Sequence, residues 1–417
     1  MRLSGRLSAA MGLLLALGAL VSVSRWYGAA LPERSSAATS VELDVTSGDD
    51  RGAGSLREAL FTADAAPGRA RIVLRVDRIT VDTPLPPLVN AYGLSIVVAA
   101  GGAELDAHGL DKAPVFDVDA AHVSITGVRI RNCSGTAILV RAGDFQLTGG
   151  SIELCDIGID VAEGMRAVEL AHNTFLRNRL GVRFAGASAN SRLVANRFSA
   201  NTDAAVWAVS GNSGPADAAP IDIRENRFSQ DRVGIMAGNI ALRLERNVFG
   251  NAREAAIHLL GAGAVVRGNR ISGGGAMGVF AENATATSIV DNEIDHVDAY
   301  AILVRGSADT LVRNNQLHNC GYGMAFVLGD ARRPSTAADN LVLAVRYNAI
   351  DVIGDSPILR HNRVREARAS ALHVEDYRPP GAAPVPAHPF LDSNDWGDVT
   401  AATATSAARL SGPASAR

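Results

Sequence analysis

Residues 168–192 read VELAHNTFLRNRLGVRFAGASANSR, and the phrase inside them, AHNTF, returns seven times as VANRF, RENRF, ERNVF, RGNRI, VDNEI, RNNQL and RHNRV. In each phrase an Asn is followed two residues later by an apolar residue, and eight to ten residues after the Asn comes a small residue beside an apolar one. The asparagines are Asn173, Asn196, Asn226, Asn247, Asn269, Asn292, Asn315 and Asn362, spaced by 23, 30, 21, 22, 23, 23 and 47 residues, the last being two periods. Self-similarity at such a period predicts a solenoid. Within one period the apolar runs are three to five residues long and alternate with period two, which is strand spacing and too short for helices. About 22 residues then make one coil of three short parallel strands, stacked strand on strand at roughly 4.8 Å. An Asn at a fixed azimuth can bond to the coil above and below, satisfying turn groups that strand pairing leaves free.

This pattern resembles the pectate-lyase-like right-handed parallel β-helix family, built from repeats of the PbH1 type, and the Asn column resembles that family's internal asparagine ladder. The resemblance implies an all-β, single right-handed parallel β-helix over residues 94–376, of about twelve coils. Residues 41–93 are expected to form an N-terminal cap and the first strands. There VELDVTSGDDRGAGSLREAL turns from a strand into a short helix, with Ser55 as N-cap and Glu58 three residues on. It is similar to the GSLREA-type start of many exported β-helices. Asp49 and Asp50 read as a turn in this cap. Residues 377–399 are expected to form a C-terminal loop and cap with Trp396 over apolar edges, and residues 400–417, rich in Ala, Ser and Thr, a disordered tail.

Residues 1–30 carry Arg2 and Arg6 before an uncharged run from Leu7 to Ser24, at the border between a signal-peptide core and a membrane span. Small residues at Gly28, Ala29 and Ala30 suit cleavage, whereas Arg25, Trp26 and Tyr27 suit an interfacial anchor. Both readings place the rest outside the cytoplasm, either periplasmic or extracellular, or tethered to the inner membrane. Residues 31–40 are a linker. Three cysteines fit an exported chain. Cys133 and Cys155 are 22 residues apart at one azimuth, so they are neighbours on successive coils that either bridge or stack as thiols, whereas Cys320 lies too many coils away. The cysteines lack paired zinc spacing, and no cofactor or metal is expected.

The net charge is −3, which gives no basic field for nucleic acid. Lys112 is the only lysine beside the arginines, which a codon bias explains as well as a preference for bidentate contacts. Longer coils occur at residues 210–220, 329–339 and 376–389, all leaving one corner of the rod, where loops can border a groove. Alternation turns Leu139, Asp160, Arg183, Trp207, Met236, His258, Phe280, Leu303, Ala325, Asp351 and His373 outward on the strand beside them, with Arg141, Glu282, Arg305 and Glu375 two residues further.

Trp207 and Phe280 offer flat faces for pyranose rings, and Arg183 and Glu282 offer polar contacts. For a uronate elimination, His258 or Tyr300 could serve as base or acid, and Arg305 or Arg183 could stabilise the carboxylate. A mixed polar and aromatic face also arises with no ligand. The chain lacks the GHG and RIK elements and paired aspartates of polygalacturonase-like hydrolases. It also lacks the DPHD motif of alginate epimerases and the acidic calcium cluster with RxPxxR of pectate lyases. What the resemblance implies is therefore a polysaccharide partner. A lyase or C5-epimerase-like enzyme and a non-catalytic binding or assembly scaffold of an exopolysaccharide system both stay open.

Overall fold

The computed structural model describes residues 40–99, 101–211, 219–261, 263–397 and 403–405. The candidate signal or anchor, the linker up to Thr39, the centre of the 210–220 insertion and most of the tail lie outside them. Among the described residues the strands form three parallel sheets. The first has 15 strands, from Val41–Val45 to Phe390–Asp392; the second has 13, from Arg78–Thr80 to Arg363–Arg365; the third has 13, from Phe116–Val118 to Thr403–Thr405. The chain visits them in the order first, second, third, once per coil, for about 13 turns. The sheets begin earlier than residue 94, because Val41–Val45, Ala70–Leu74 and Leu94–Val98 already pair in parallel register.

One α-helix, Leu56–Asp64, covers the first coil with Leu56, Ala59, Leu60 and Ala63 buried. Ser55 caps it by accepting from the Glu58 amide, but Glu58 reaches back to the amide of Gly54, at 2.6 Å, rather than to Ser55. Asp50 is tied into this cap by Thr83 and Arg57, at 2.6 and 2.8 Å, and is a structural turn residue.

The corner from first to second sheet explains the repeated Asn. The residue before it is left-handed in every coil, as at His172, Glu225, Arg246 and Asp291 (φ 52 to 60°), which costs a non-glycine residue about 1 kcal/mol. The Asn that follows repairs the backbone. In Asn269, for example, Oδ1 accepts from the amide and Nδ2 of Asn247 (2.9 and 3.0 Å), while Nδ2 donates to the Leu244 carbonyl (2.9 Å) and to Asn292 (3.0 Å). Among the described residues the column has ten rungs, from Asn173 to Asn394, and Asn340 fills the apparent gap between Asn315 and Asn362. Asn340 lies in ADNLV directly after a lengthened coil, which hides its period. The expected loop 329–339 is shorter than its sequence suggests, since Thr336–Ala338 is a strand of the first sheet.

The second sheet points Phe175, Phe198, Phe228 and Phe249 inward as a stack with ring centroids 4.8, 4.8 and 4.5 Å apart. The small residue after each Asn lies over this stack: a Cβ at Gly181 would stand 3.1 Å from the Phe198 ring and 2.5 Å from the Ala205 carbonyl oxygen.

A second inner column stands at the corner from second to third sheet. Cys133 and Cys155 are paired there as a disulfide with Cα atoms 4.3 Å apart, and Cys320 is buried and free. The Cys155 amide donates to Asn178, Asn178 to Asn201, and Asn201 to Asp231 through both its amide (2.9 Å) and its Nδ2 (2.8 Å).

Candidate functional site

The outer face of the third sheet has the expected register. Asp160, Arg183, Trp207, Met236, His258, Phe280, Leu303, Ala325, Asp351 and His373 are direct neighbours on ten successive coils. Glu282 and Arg305 are likewise neighbours one column further along the strands. A period-two strand turns these side chains away from the core, which is filled from the other side by residues such as Ile257, Val279 and Ile302.

Four of the expected residues meet. His258 stacks on Phe280 with centroids 4.4 Å apart, and the Arg305 guanidinium lies 5.0 Å over the same ring. Glu282 is held between them: its Oε2 is 3.3 Å from His258 Nε2, and its Oε1 pairs with Arg305. Burial pushes the Glu282 carboxyl up, but the hydrogen bonds and charges of Arg305 and His258 outweigh it and hold it below the ordinary carboxylate range. Phe280 is itself buried, with 5% exposure, so one ring carries both neighbours.

The other expected residues stand apart from this group. Arg183 donates to Asp160 at 3.0 Å, and burial of Asp160 exceeds that compensation and raises its carboxyl. Trp207, two coils before His258, packs with Met236 on an outer apolar strip of Ile157, Leu180, Ala204 and Val233. Tyr300 stacks on Tyr322 at 4.5 Å, and Tyr322 on Tyr347 at 4.8 Å. Burial, with Asp351 and Tyr322 nearby, pushes the Tyr300 hydroxyl up to about 12. The sequence reading missed Tyr322 and Tyr347 as partners of Tyr300, although their spacings of 22 and 25 residues are coil periods.

Asp351 is the other residue the reading passed over. It faces outward, yet it is 2% exposed. Its Oδ1 accepts from Asn348 Nδ2 at 2.7 Å and from His373 Nδ1 at 3.0 Å, while Ser370 donates to Asn348 Oδ1 at 2.7 Å. Burial outweighs these bonds and raises the Asp351 carboxyl. No three His, Cys, Asp or Glu side chains converge as a cation site among the described residues. A shallow depression of about 690 Å³ lies on the first sheet instead. Its arginines are matched there, Arg267 with Asp291 (3.2 Å) and Arg313 with Asp339 (3.3 Å), leaving no charge for a ligand.

Fold and face together define a right-handed parallel β-helix with a mixed aromatic and charged outer sheet. Residues 213–368 match the family model described as the right handed beta helix region, and the resemblance to pectate-lyase-like β-helices stands at the level of fold. No curated protein sequence matches the chain. Among solved structures it is similar to the surface adhesin PfbA of Streptococcus pneumoniae, at 12% identity over 82% of this chain and 94% of that one, TM-score 0.53. It is also similar to a family 28 exopolygalacturonase of Yersinia enterocolitica (12%, 85% and 77%, TM-score 0.47). A third is the mannuronan C-5 epimerase A-module of Azotobacter vinelandii (12%, 89% and 100%, TM-score 0.42). At these identities the likeness is one of fold.

Proposed function

We propose that the protein binds a polysaccharide chain lengthwise along the outer face of its third sheet, outside the cytoplasm. One observation carries this reading. Ring-bearing side chains sit on six of seven successive coils, at Trp207, His258, Phe280, Tyr300, Tyr322 and Tyr347, a run of about 29 Å at the coil spacing. Phe280 is covered by His258 and Arg305, and Tyr300, Tyr322 and Tyr347 stack on one another. The ring surface on offer is therefore that of the partly exposed Trp207 and the half-exposed Tyr347, which with the polar groups beside them suits pyranose faces and hydroxyls. The distribution of the rings along the rod favours holding a chain over turning it over at one point, so binding or guiding an exported polysaccharide is the function proposed.

Titration with a panel of soluble polysaccharides tests it: Trp207→Ala is expected to weaken binding by about 1–3 kcal/mol. Absence of binding to acidic and neutral polymers alike, or binding that survives loss of Trp207, Phe280 and Arg305 together, would reduce the face to an ordinary solvated sheet.

A catalytic reading, a lyase or C5-epimerase-like enzyme acting on a uronate polymer, has one observation in its favour, the contact between His258 and Glu282. It assigns His258 or Tyr300 as base or acid and Arg305 or Arg183 as carboxylate stabiliser. Against it, both guanidiniums are already engaged by carboxylates. Loss of uronate turnover in His258→Ala and Arg305→Ala, with the fold intact, would favour it.

A further inference from the structure

Within its strands the third sheet carries the carboxylates Asp117, Asp160, Glu282, Asp351 and Glu375 against the guanidiniums Arg183 and Arg305. Both arginines are paired, with Asp160 and Glu282, and Asp117 is matched by Arg141 just beyond its strand, at 3.4 Å. Asp351 and Glu375 are left. Neither meets an arginine or lysine among the described residues, and only His373 stands between them, Nδ1 at 3.0 Å from Asp351 and Nε2 at 4.0 Å from Glu375.

The geometry around Asp351 is directional. Asn348 and His373 both donate to Oδ1, while Oδ2 has no protein partner among the described residues. The carboxyl is thus fixed in orientation and 3% exposed as a side chain, with both hydrogen bonds on one oxygen. Beside it the tyrosine stack ends: Tyr347, half exposed, immediately precedes the Asn348 that holds Asp351.

We propose that Tyr322, Tyr347, Asn348, Asp351, His373 and Glu375 form a subsite for an amino sugar, with the ring against the tyrosines and its ammonium on Asp351 Oδ2. This rests on the reading of the third sheet as a sugar-binding face, and it names the sugar. A uronate at this position would bring a third carboxylate to two that have no fixed cation, with no free guanidinium to receive it. A neutral hexose would supply hydroxyl donors only. A hexosamine ammonium supplies the missing positive charge through a charge-assisted hydrogen bond, and it lets a buried carboxyl ionise that burial otherwise disfavours.

The test is calorimetric titration of the full chain with three size-matched oligosaccharides: a glucosamine hexamer with its amines protonated, a glucose hexamer and a galacturonate hexamer. The glucosamine hexamer is expected to bind tightest and the galacturonate hexamer weakest, and added salt is expected to weaken the first. Asp351→Asn, which keeps an acceptor for Asn348 and His373, is expected to lower glucosamine affinity about tenfold and change glucose affinity less than about twofold. Galacturonate binding as tight as glucosamine binding, or glucosamine affinity untouched by Asp351→Asn, would overturn the proposal. If Trp207→Ala still weakens binding of any of the three in that case, the sugar-binding face stands and only the amino-sugar assignment falls. If none of the three binds the wild type, both fall.

Discussion

Asp231 stands where the inner column of the second corner would otherwise place a third asparagine. Asn178 and Asn201 each use Nδ2 to donate to a backbone carbonyl, of Ile152 at 3.0 Å and Phe175 at 3.3 Å. Asp231 has an oxygen in that role, and this Oδ2 is buried with no partner. Burial, against the bonds from Asn201 and Ser229 and the charge of Arg253, pushes its carboxyl from 3.8 up to about 6. The folded chain therefore binds a proton here more tightly than the unfolded chain. Stability falls as pH rises from 3.8 through about 6, and by neutral pH the loss is about 2–3 kcal/mol. Asp231→Asn is expected to stabilise the protein by about 2 kcal/mol at neutral pH and to flatten its pH dependence across that window. Urea denaturation at several pH values measures both, and an unchanged pH profile in the variant would mean Asp231 is ionised without penalty.

At the scale of the element, each coil closes because a small residue at the third-sheet corner lets the second sheet's large side chain lie flat beneath it. Interiors are packed to crystal-like density, so a bulkier residue there must displace backbone as well as ring. Gly181→Val is expected to cost about 1–3 kcal/mol by overpacking the Phe198 ring and the Ala205 carbonyl. Chemical denaturation would register it, and a neutral outcome would show that the coil can widen locally. The same corner carries the disulfide, which closes a 22-residue separation between adjacent coils and is expected to contribute about 3 kcal/mol.

For the whole molecule, three long parallel sheets bury one continuous core, and each coil is stabilised by its neighbours, so the cap at the start and the strands at the end matter more than any single rung. Partly buried Trp396 packs on this core at the C-terminal end. Where the protein works is open to one experiment. Material isolated from the cell envelope, unfolded without reductant, is expected to show one reactive thiol, that of Cys320. N-terminal sequencing of the same sample separates a cleaved signal from a retained anchor. Three reactive thiols would mean that Cys133 and Cys155 remain reduced, and so argue against an oxidising compartment.

The solenoid was legible because its determinants are local and recur. One Asn, one small residue and one apolar alternation return every coil, and the in-register neighbours of Trp207, His258 and Phe280 follow by counting periods. That Cys133 and Cys155 are neighbours on successive coils followed from the same count, but not whether they bridge. What counting could not supply is where the tip of each side chain goes. Outward alternation assigned Asp351 and Phe280 to solvent, but neighbours one coil away cover both. Arg183 and Arg305 looked available, yet each closes on a carboxylate one coil earlier, Asp160 and Glu282, because coils at roughly 4.8 Å bring residues about 23 positions apart into ion-pair range. Period therefore determined fold, register and face from the sequence alone. Which charges on that face are already matched, and which carboxylates meet no guanidinium, was decided only by the tertiary structure, since that depends on side-chain reach between coils.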